Sequence, residues 1–257
     1  MYSSRSPHTK IRFEVQVQRQ ALLQSNIRKN YAFFFLTCLR PSNGVWMIYL
    51  AANGYSLLQL GILEGIFHIA SFLGEVPTGA IADLKGRANS RKLGRVLYVI
   101  ATLLVMSAYS YTVIVIGFIV YALSFNLESG AGEAFIYDTL EELDRTEEFK
   151  KVNGNLEVMY QAASILGLLV GGYLALYSYH ALYLLEALVS ICALWIGFSM
   201  VEPMYEISTG AANQARGVLA RTVASLKSQT AAGPLELIET GPDRLREITL
   251  GRKQICA

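Results

Sequence analysis

Six ionisable residues lie inside long apolar stretches of this sequence, and their types could carry chemistry. They are Arg40, Glu64, Glu75, Glu128, Glu133 and Glu186. A charged side chain is costly in an apolar environment, so each of them needs a polar cavity, an opposite charge or a proton. We expect structural or gating roles for Glu75 and Glu133, which lie near the ends of their stretches, and a packing or polar-pair role for Glu186.

Arg40 and Glu128 form the pair that we expect at the functional centre. Arg40 lies nearest the middle of its apolar stretch, whereas Glu128 and Glu64 lie off-centre. An arginine at mid-membrane costs about 2.5–3.5 kcal/mol, so its side chain should face the protein interior and find a carboxylate. Glu64 is the competing partner, and a purely structural ion pair is the alternative interpretation. If Glu128 is the partner of Arg40, removal of Arg40 would leave its carboxylate uncompensated, which makes Glu128 a candidate proton carrier.

Signatures of enzymes and of metal or nucleic-acid binding are missing from the sequence. It contains neither a phosphate-binding Gly-x-x-x-x-Gly-Lys-(Ser/Thr) motif nor a Gly-x-Ser-x-Gly nucleophile turn. The three cysteines and the three histidines are widely separated, without the spacing of metal ligands or of a disulfide framework. We therefore predict no catalytic residue, no metal site and no cofactor. Lysines and arginines cluster at the ends of apolar stretches, which argues against a nucleic-acid partner.

Composition indicates a membrane protein made of helices. Apolar residues make up 53% of the chain and charged residues only 16%, against about 25% charged in a typical soluble domain. Six stretches approach the length of about 20 residues that a bilayer core requires. We therefore predict an all-α, polytopic membrane protein built as a six-transmembrane-helix bundle. The predicted helices cover approximately residues 31–51, 57–82, 93–109, 113–137, 156–177 and 181–201.

The positions of lysine and arginine predict the orientation of these helices. Both residue types are absent from residues 41–84, 96–144 and 152–215. Basic residues favour the cytoplasmic side, so both termini and the basic loops should lie inside. The chain divides into a basic cytoplasmic arm (1–30), the six-helix bundle (31–203) and a polar cytoplasmic tail (204–257).

Three local features refine this division. Within the arm, residues 11–17 alternate apolar and polar side chains, which leaves a short strand as an alternative to a flexible or interfacial segment. Within the tail, residues 216–227 form either a short amphipathic helix or part of a partly ordered tail. Pro41, near the middle of the first span, lacks a backbone N–H and predicts a kink there.

Residues 79–87, followed closely by Arg91, join the second predicted span to the third. They read Gly-Ala-Ile-Ala-Asp-Leu-Lys-Gly-Arg and match the pattern Gly-x-x-x-Asp-(Arg/Lys)-x-Gly-Arg, except that the basic residue comes one place late. The matching residues are Gly79, Asp83, Gly86 and Arg87. This segment, here named the signature loop, resembles the signature loop of the major facilitator superfamily of transporters. An ordinary basic cytoplasmic loop is the alternative.

The resemblance implies a gating role for the signature loop. In complete family members the matching aspartate is thought to hold two six-helix halves together on the cytoplasmic side. The resemblance covers residues 31–203, which correspond to the first half of a family that usually has twelve spans. A partner in a second half is therefore not part of this chain, and we expect Asp83 to pair locally with Arg87 or Arg91.

A second resemblance lies in the fifth predicted helix. Exporters of this family often carry Gly-x-x-x-Gly-Pro-x-x-Gly-Gly there. This chain keeps Gly167, Gly171 and Gly172 but has Leu168 in place of the proline. The resemblance implies drug-type export coupled to protons, whereas a small-residue packing face is the alternative.

Together these features predict a secondary active transporter of an unknown small solute, incomplete in this chain, in the bacterial inner (plasma) membrane. Such a transporter moves two bundles around a central site, so this bundle would need a second six-helix half or a second copy of itself. The expected partners are the lipid bilayer, the solute and that second bundle. The alternative is a non-transporting, truncated membrane remnant or a partner-binding half-transporter.

Overall fold

The structure, a computed structural model, describes residues 7–204 together with Ala224, and side chains from Glu14 onward; these residues form helices and no strands. The α-helices are α1 (Pro7–Cys38), α2 (Trp46–Ala52), α3 (Leu57–Lys85), α4 (Arg87–Ser107), α5 (Tyr111–Glu142), α6 (Phe149–Ala175) and α7 (Tyr179–Phe198). Short 3₁₀ helices cover Pro41–Gly44 and Thr146–Glu148. Apart from Ala224, the amphipathic helix predicted at 216–227 lies outside the described residues.

Four helical segments of the described chain are long and apolar enough to cross a membrane. They are Leu57–Lys85, Tyr111–Glu142, Thr146–Ala175 and Tyr179–Phe198. The predicted all-helical membrane fold is therefore confirmed, but the predicted count of six spans is not. The helices at the first and third predicted spans are not among these four segments. α1 ends at Cys38, early in its predicted span, and α4 begins with a strongly basic turn.

The first predicted span is interrupted at Pro41, as predicted. α1 ends at Cys38, Pro41 opens the 3₁₀ helix, and α2 resumes at Trp46. Proline has no N–H to donate and suits the first turn of a helix better than its interior. The segment between α1 and α2, residues 39–45, is here named the α1–α2 break.

Helix α1 also extends further toward the N-terminus than predicted. It begins at Pro7 rather than near Tyr31, so the alternative of a strand at residues 11–17 is wrong. Arg19 on this extension hydrogen-bonds Glu142 at the end of α5, and this bond raises the pKa of the arginine. The Asn26 side chain donates to the Val201 carbonyl (2.7 Å) and accepts from the Val201 N–H (3.1 Å). These bonds fasten the extension to α5 and to the segment that follows α7.

The connections between helices are shorter than predicted. Gly86 alone separates α3 from α4, and its φ of +94° is a conformation that glycine adopts without strain. α4 consequently begins at Arg87, six residues before the predicted start at Leu93, and Arg91 becomes a helical residue. The charged linker predicted at 138–157 shrinks in the same way, because α5 runs to Glu142 and α6 starts at Phe149.

Two apolar clusters form the core, one toward each end of the bundle. One contains Leu63, Val105, Ile114, Phe118 and Tyr183 among its buried members. The other contains Phe33, Phe135, Ile136, Leu156 and Ala193 and lies nearer Gly86; that end is here named the signature end. Between these clusters lie buried charged residues, and the two cavities described below open beside them.

Candidate functional site

An aromatic cavity of about 300 Å³ lies beside the α1–α2 break. Its walls come from that break and from α2, α3, α4, α5 and α7. The aromatic side chains of the wall are Trp46, Phe67, Tyr98, Phe118, Tyr121, Phe125 and Tyr183. Several are held edge to face, for example Trp46 against Phe118, with ring centroids 5.1 Å apart, and Tyr98 against Tyr121, at 5.0 Å. Such packing fixes the shape of the cavity.

Arg40 supplies a positive charge to this cavity. Its guanidinium carbon lies 4.2 Å from the ring centroid of Phe125, which is cation–π distance, and Nε donates to the Thr37 carbonyl at 3.2 Å. Among the described residues no carboxylate lies within ion-pair distance of Arg40. The predicted pairing with Glu128 is therefore wrong.

Glu186 fixes the backbone that carries Arg40. This carboxylate, on α7, is buried and accepts hydrogen bonds from the Ser42 N–H (2.7 Å) and the Tyr98 hydroxyl (2.6 Å). The helix interruption leaves the Ser42 N–H available, so the buried acid joins the α1–α2 break to an aromatic wall of the cavity. The predicted polar-pair role of Glu186 is confirmed.

Glu64 lines the same cavity from α3. Its side chain is 45% exposed, and one carboxylate oxygen lies 3.4 Å from Nε2 of His68, one turn further along the helix. The structure thus brings Arg40 and Glu64 to one cavity without pairing them. Glu75 and Glu133 are exposed.

Glu128 instead belongs to a second polar cluster on the signature side of the first cavity. Arg91 donates from Nε to Oε1 of Glu128 at 3.0 Å and from Nη1 to Oδ1 of Asn30 at 2.6 Å. The guanidinium of Arg91 also lies 4.4 Å from the Phe33 ring centroid, and the side chain is 98% buried. This cluster borders a second cavity of about 550 Å³ between α1, α5 and α6.

Arg95 is a buried cation that the sequence analysis did not single out. It lies one turn after Arg91, with its guanidinium 4.6 Å from the Tyr98 ring centroid. Its three guanidinium nitrogens make no hydrogen bond within the described part of the chain. A signal was present, because Arg91, Arg95, Tyr98 and Thr102 repeat at spacings of four, three and four residues, which is one face of a helix.

The signature loop forms local contacts, as predicted. The Arg87 guanidinium donates to Oδ1 of Asp83 at 2.6 Å and lies 3.7 Å from the Asp138 carboxylate. The first turn of α4 is capped from elsewhere in the chain: the Glu202 carboxylate accepts the Ala88 N–H at 3.0 and 3.1 Å. An acid at a helix N-terminus satisfies free N–H groups and complements the helix dipole.

The glycines of the fifth predicted span pack against the α1–α2 break. A Cβ atom on Gly171 would overlap the Pro41 carbonyl, and one on Gly167 would lie only 3.2–3.3 Å from the Arg40 backbone. Gly172 has no such neighbour within 4 Å. The packing alternative thus accounts for two of the three glycines, and these two let α6 support the backbone of Arg40.

Comparisons with known proteins agree with the motif. The family model described as Major Facilitator Superfamily matches residues 31–239. A Bacillus subtilis (strain 168) protein described as "Uncharacterized MFS-type transporter YxaM" is 27% identical over 172 residues. That alignment covers 66% of this chain and 42% of the relative, so the chain corresponds to less than half of that protein.

Proposed function

Because the chain belongs to the Major Facilitator Superfamily, we propose that it forms one six-helix half of a secondary active transporter whose solute binds in the aromatic cavity. The observation that carries this proposal is Arg40, which pairs with no carboxylate among the described residues and lines a cavity at an interrupted helix. Interrupted helices around a central site are typical of transporters. The proposal is of a transporter and not of an enzyme.

Six spans require that α1 with α2, and α4, cross the membrane beside the four apolar segments. The placement of lysine and arginine supports this topology, with both termini and the signature end in the cytoplasm. The similarity to a Bacillus subtilis protein supports a bacterial plasma membrane as the location of the chain.

Single-cysteine labelling tests the topology. In a background lacking Cys38, Cys192 and Cys256, a membrane-impermeant maleimide added outside should label Asn53→Cys and leave Asn89→Cys unlabelled. Both positions are exposed, so accessibility of the side chain does not differ between them. Labelling of Asn89→Cys in sealed cells would contradict the topology.

A second bundle would dock on the least covered helices. The apolar windows of α3 and of Thr146–Ala175 are each 17% buried, against 44% for α5 and 39% for α7. Either a separate six-helix half or a second copy could cover α3 and α6. The competing proposal is a non-transporting membrane remnant or a partner-binding half-transporter.

Flux measurements separate these two proposals. The purified chain is reconstituted into liposomes under a proton gradient, alone and with a separately produced second half of a relative, and challenged with a panel of aromatic anions, neutral compounds and cations. We expect saturable flux that Arg40→Gln abolishes and that Arg145→Gln, a change at the partly exposed α5–α6 connection, preserves.

Dependence of that flux on the proton gradient would support drug-type, proton-coupled export, with Glu64 as the candidate proton carrier. Absence of flux for the whole panel, with and without a second half, would favour the remnant.

A further inference from the structure

We propose that the aromatic cavity selects a small aromatic anion, such as an aromatic carboxylate, through Arg40. This inference rests on the proposed function for its role as a transport substrate, but the binding itself does not require transport. Its basis is a guanidinium that forms no ion pair with a carboxylate of the described residues, an aromatic wall, and a second, buried guanidinium, Arg95, that makes no hydrogen bond within the described part of the chain.

The guanidinium of Arg40 is arranged to receive an anion at its edge. Phe125 covers one of its faces at 4.2 Å, and the Nε–H is used by the Thr37 carbonyl. No hydrogen bond from the terminal nitrogens Nη1 and Nη2 occurs within the described part of the chain. A carboxylate can accept two parallel hydrogen bonds from a guanidinium edge, which is the geometry that arginine recognises best.

No carboxylate of the described residues forms an ion pair with Arg40, although Glu64 lines the same cavity. Three arginines lie between the two apolar clusters: Arg40, Arg91 and Arg95. Two carboxylates accompany them, Glu128 and Glu186, but neither is available to Arg40: Glu128 is held by Arg91, and Glu186 accepts from Ser42 and Tyr98. Arg95 adds a further positive charge behind the Tyr98 wall. Uncompensated charge in a low-dielectric interior is costly, so an anion in this cavity would be stabilised.

Glu64 would be the recognition group for a cation, and its surroundings favour it less. Its side chain is 45% exposed and lies beside His68, so water screens its charge. The backbone of Arg40 is fixed by Glu186, Gly167 and Gly171, so the position of its charge is preorganised. Preorganised charge discriminates between ligands more strongly than mobile charge does.

The volume and the wall indicate the rest of the ligand. A cavity of about 300 Å³ is at the lower limit of small-molecule sites, which suits a ligand of one or two rings. The wall presents ring faces and edges from α2, α3, α4 and α5, which bind aromatic surface.

The test uses Trp46 as a reporter of binding. The chain has two tryptophans, Trp46 in the cavity wall and the exposed Trp195, so Trp195→Phe leaves Trp46 as the single tryptophan, which is excited selectively at the red edge of the absorption band. Three quenchers of one shape are titrated into the full chain in detergent: 4-nitrobenzoate, 4-nitrobenzamide and 4-nitrobenzylammonium. We expect saturable quenching, with a Kd for the benzoate at least tenfold lower than for the amide or the ammonium compound.

Variants of Arg40 then test whether this residue causes the preference for the anion. Arg40→Gln should bring the benzoate and amide Kd values within threefold of each other, Arg40→Lys should keep a weaker anion preference, and the matched control Arg145→Gln should change nothing. Elution and helix content show whether Arg40→Gln folds. If it does not, Arg40→Lys, and the comparison of the three quenchers on the unaltered chain, still test the inference.

Equal Kd values for the three quenchers, tighter binding of the ammonium compound, or no saturable quenching would each overturn the inference. Anion-selective binding without flux would leave the inference standing and remove the proposed transport. Flux with no anion preference would support the proposed transport and overturn this inference.

Discussion

The two arginine sites of this bundle differ in what surrounds the charge. Arg91 is buried against Phe33 and its charge is paired within the protein, with Glu128 at 3.0 Å and Asn30 at 2.6 Å. Arg40 rests on an aromatic ring in the same way but faces a cavity, and no carboxylate of the described chain pairs with it. The charge of Arg91 is neutralised within the protein, whereas the charge of Arg40 is available to a ligand in the cavity.

This difference distinguishes a charged residue that stabilises the fold from one that binds a ligand, by whether a carboxylate of the protein pairs with it. Buried ion pairs cost desolvation energy and are strongly destabilising only when one partner is removed. A cavity-lining guanidinium keeps some contact with solvent, so its removal costs less stability and more binding. The following predictions test that contrast, beginning with the change expected to have the largest effect.

Breaking the Arg91–Glu128 pair should cost the most stability. Glu128→Ala should lower the free energy of unfolding by about 3–5 kcal/mol, because it leaves the buried guanidinium of Arg91 without its countercharge. The measurement is unfolding in mixed detergent micelles. Glu133→Ala, an exposed acid on the same helix, is the matched control and should change the free energy little.

The double variant Arg91→Ala, Glu128→Ala sharpens this test. It should lose clearly less stability than the sum of the two single variants, since no uncompensated charge remains. Additive losses would mean that the pair is not coupled, and the contrast between the two arginine sites would then disappear.

The sequence predicted features that depend on local chemistry. Pro41 lacks an N–H, so the helix interruption followed from one residue. Asp83 and Arg87 are four residues apart, so their pairing needs only a helical turn. Glu186 was recognised as a buried polar residue because an apolar span surrounds it.

The pairing of Glu128 could not be predicted from one sequence in the same way. It depends on the start of α4: with a start near Leu93, Arg91 belongs to a loop, whereas with the start at Arg87 it is a buried helical residue. Single-residue glycine connections leave helix starts ambiguous by several residues, and an error of that size moves a side chain to another face of the helix. Partner choice across helices also depends on rotation and depth, which hydrophobic periodicity does not determine.

Disturbing the contact between α6 and the α1–α2 break, which supports the backbone of Arg40, should have the next largest effect on stability. Gly171→Ala places a methyl group against the Pro41 carbonyl, so α6 and the α1–α2 break must separate. We expect a loss of about 1–3 kcal/mol, the usual range for overpacking. Gly172→Ala, at the adjacent open position, should be neutral or stabilising, since alanine favours helix. Equal losses at the two positions in the same unfolding assay would show that the break is not held by this contact.

Removing Arg40 itself should have a smaller effect on stability than either change. Arg40→Gln loses a cation–π contact with Phe125, which is worth about 0.5–2 kcal/mol. In a double-mutant cycle Arg40→Gln and Glu128→Gln should be additive within about 0.5 kcal/mol, since the two side chains are not paired. A larger coupling energy would restore the pairing expected from the sequence and merge the two sites into one.

The smallest effect is expected at the signature loop, where a third kind of charge pair occurs. Asp83 and Arg87 are four residues apart, and the Asp83 side chain is 37% exposed, so water screens the pair and its contribution should be about 0.3–0.5 kcal/mol. Asp83→Asn should therefore barely alter the unfolding of this chain, although the same change should impair a reconstituted two-half transporter if the loop contacts the second half. Asn89→Ala, an exposed change on the first turns of α4, is the control for both measurements. Full transport by Asp83→Asn in the two-half form would exclude a gating role, and a large loss of stability in the single chain would place Asp83 with Glu128 among the structural charges.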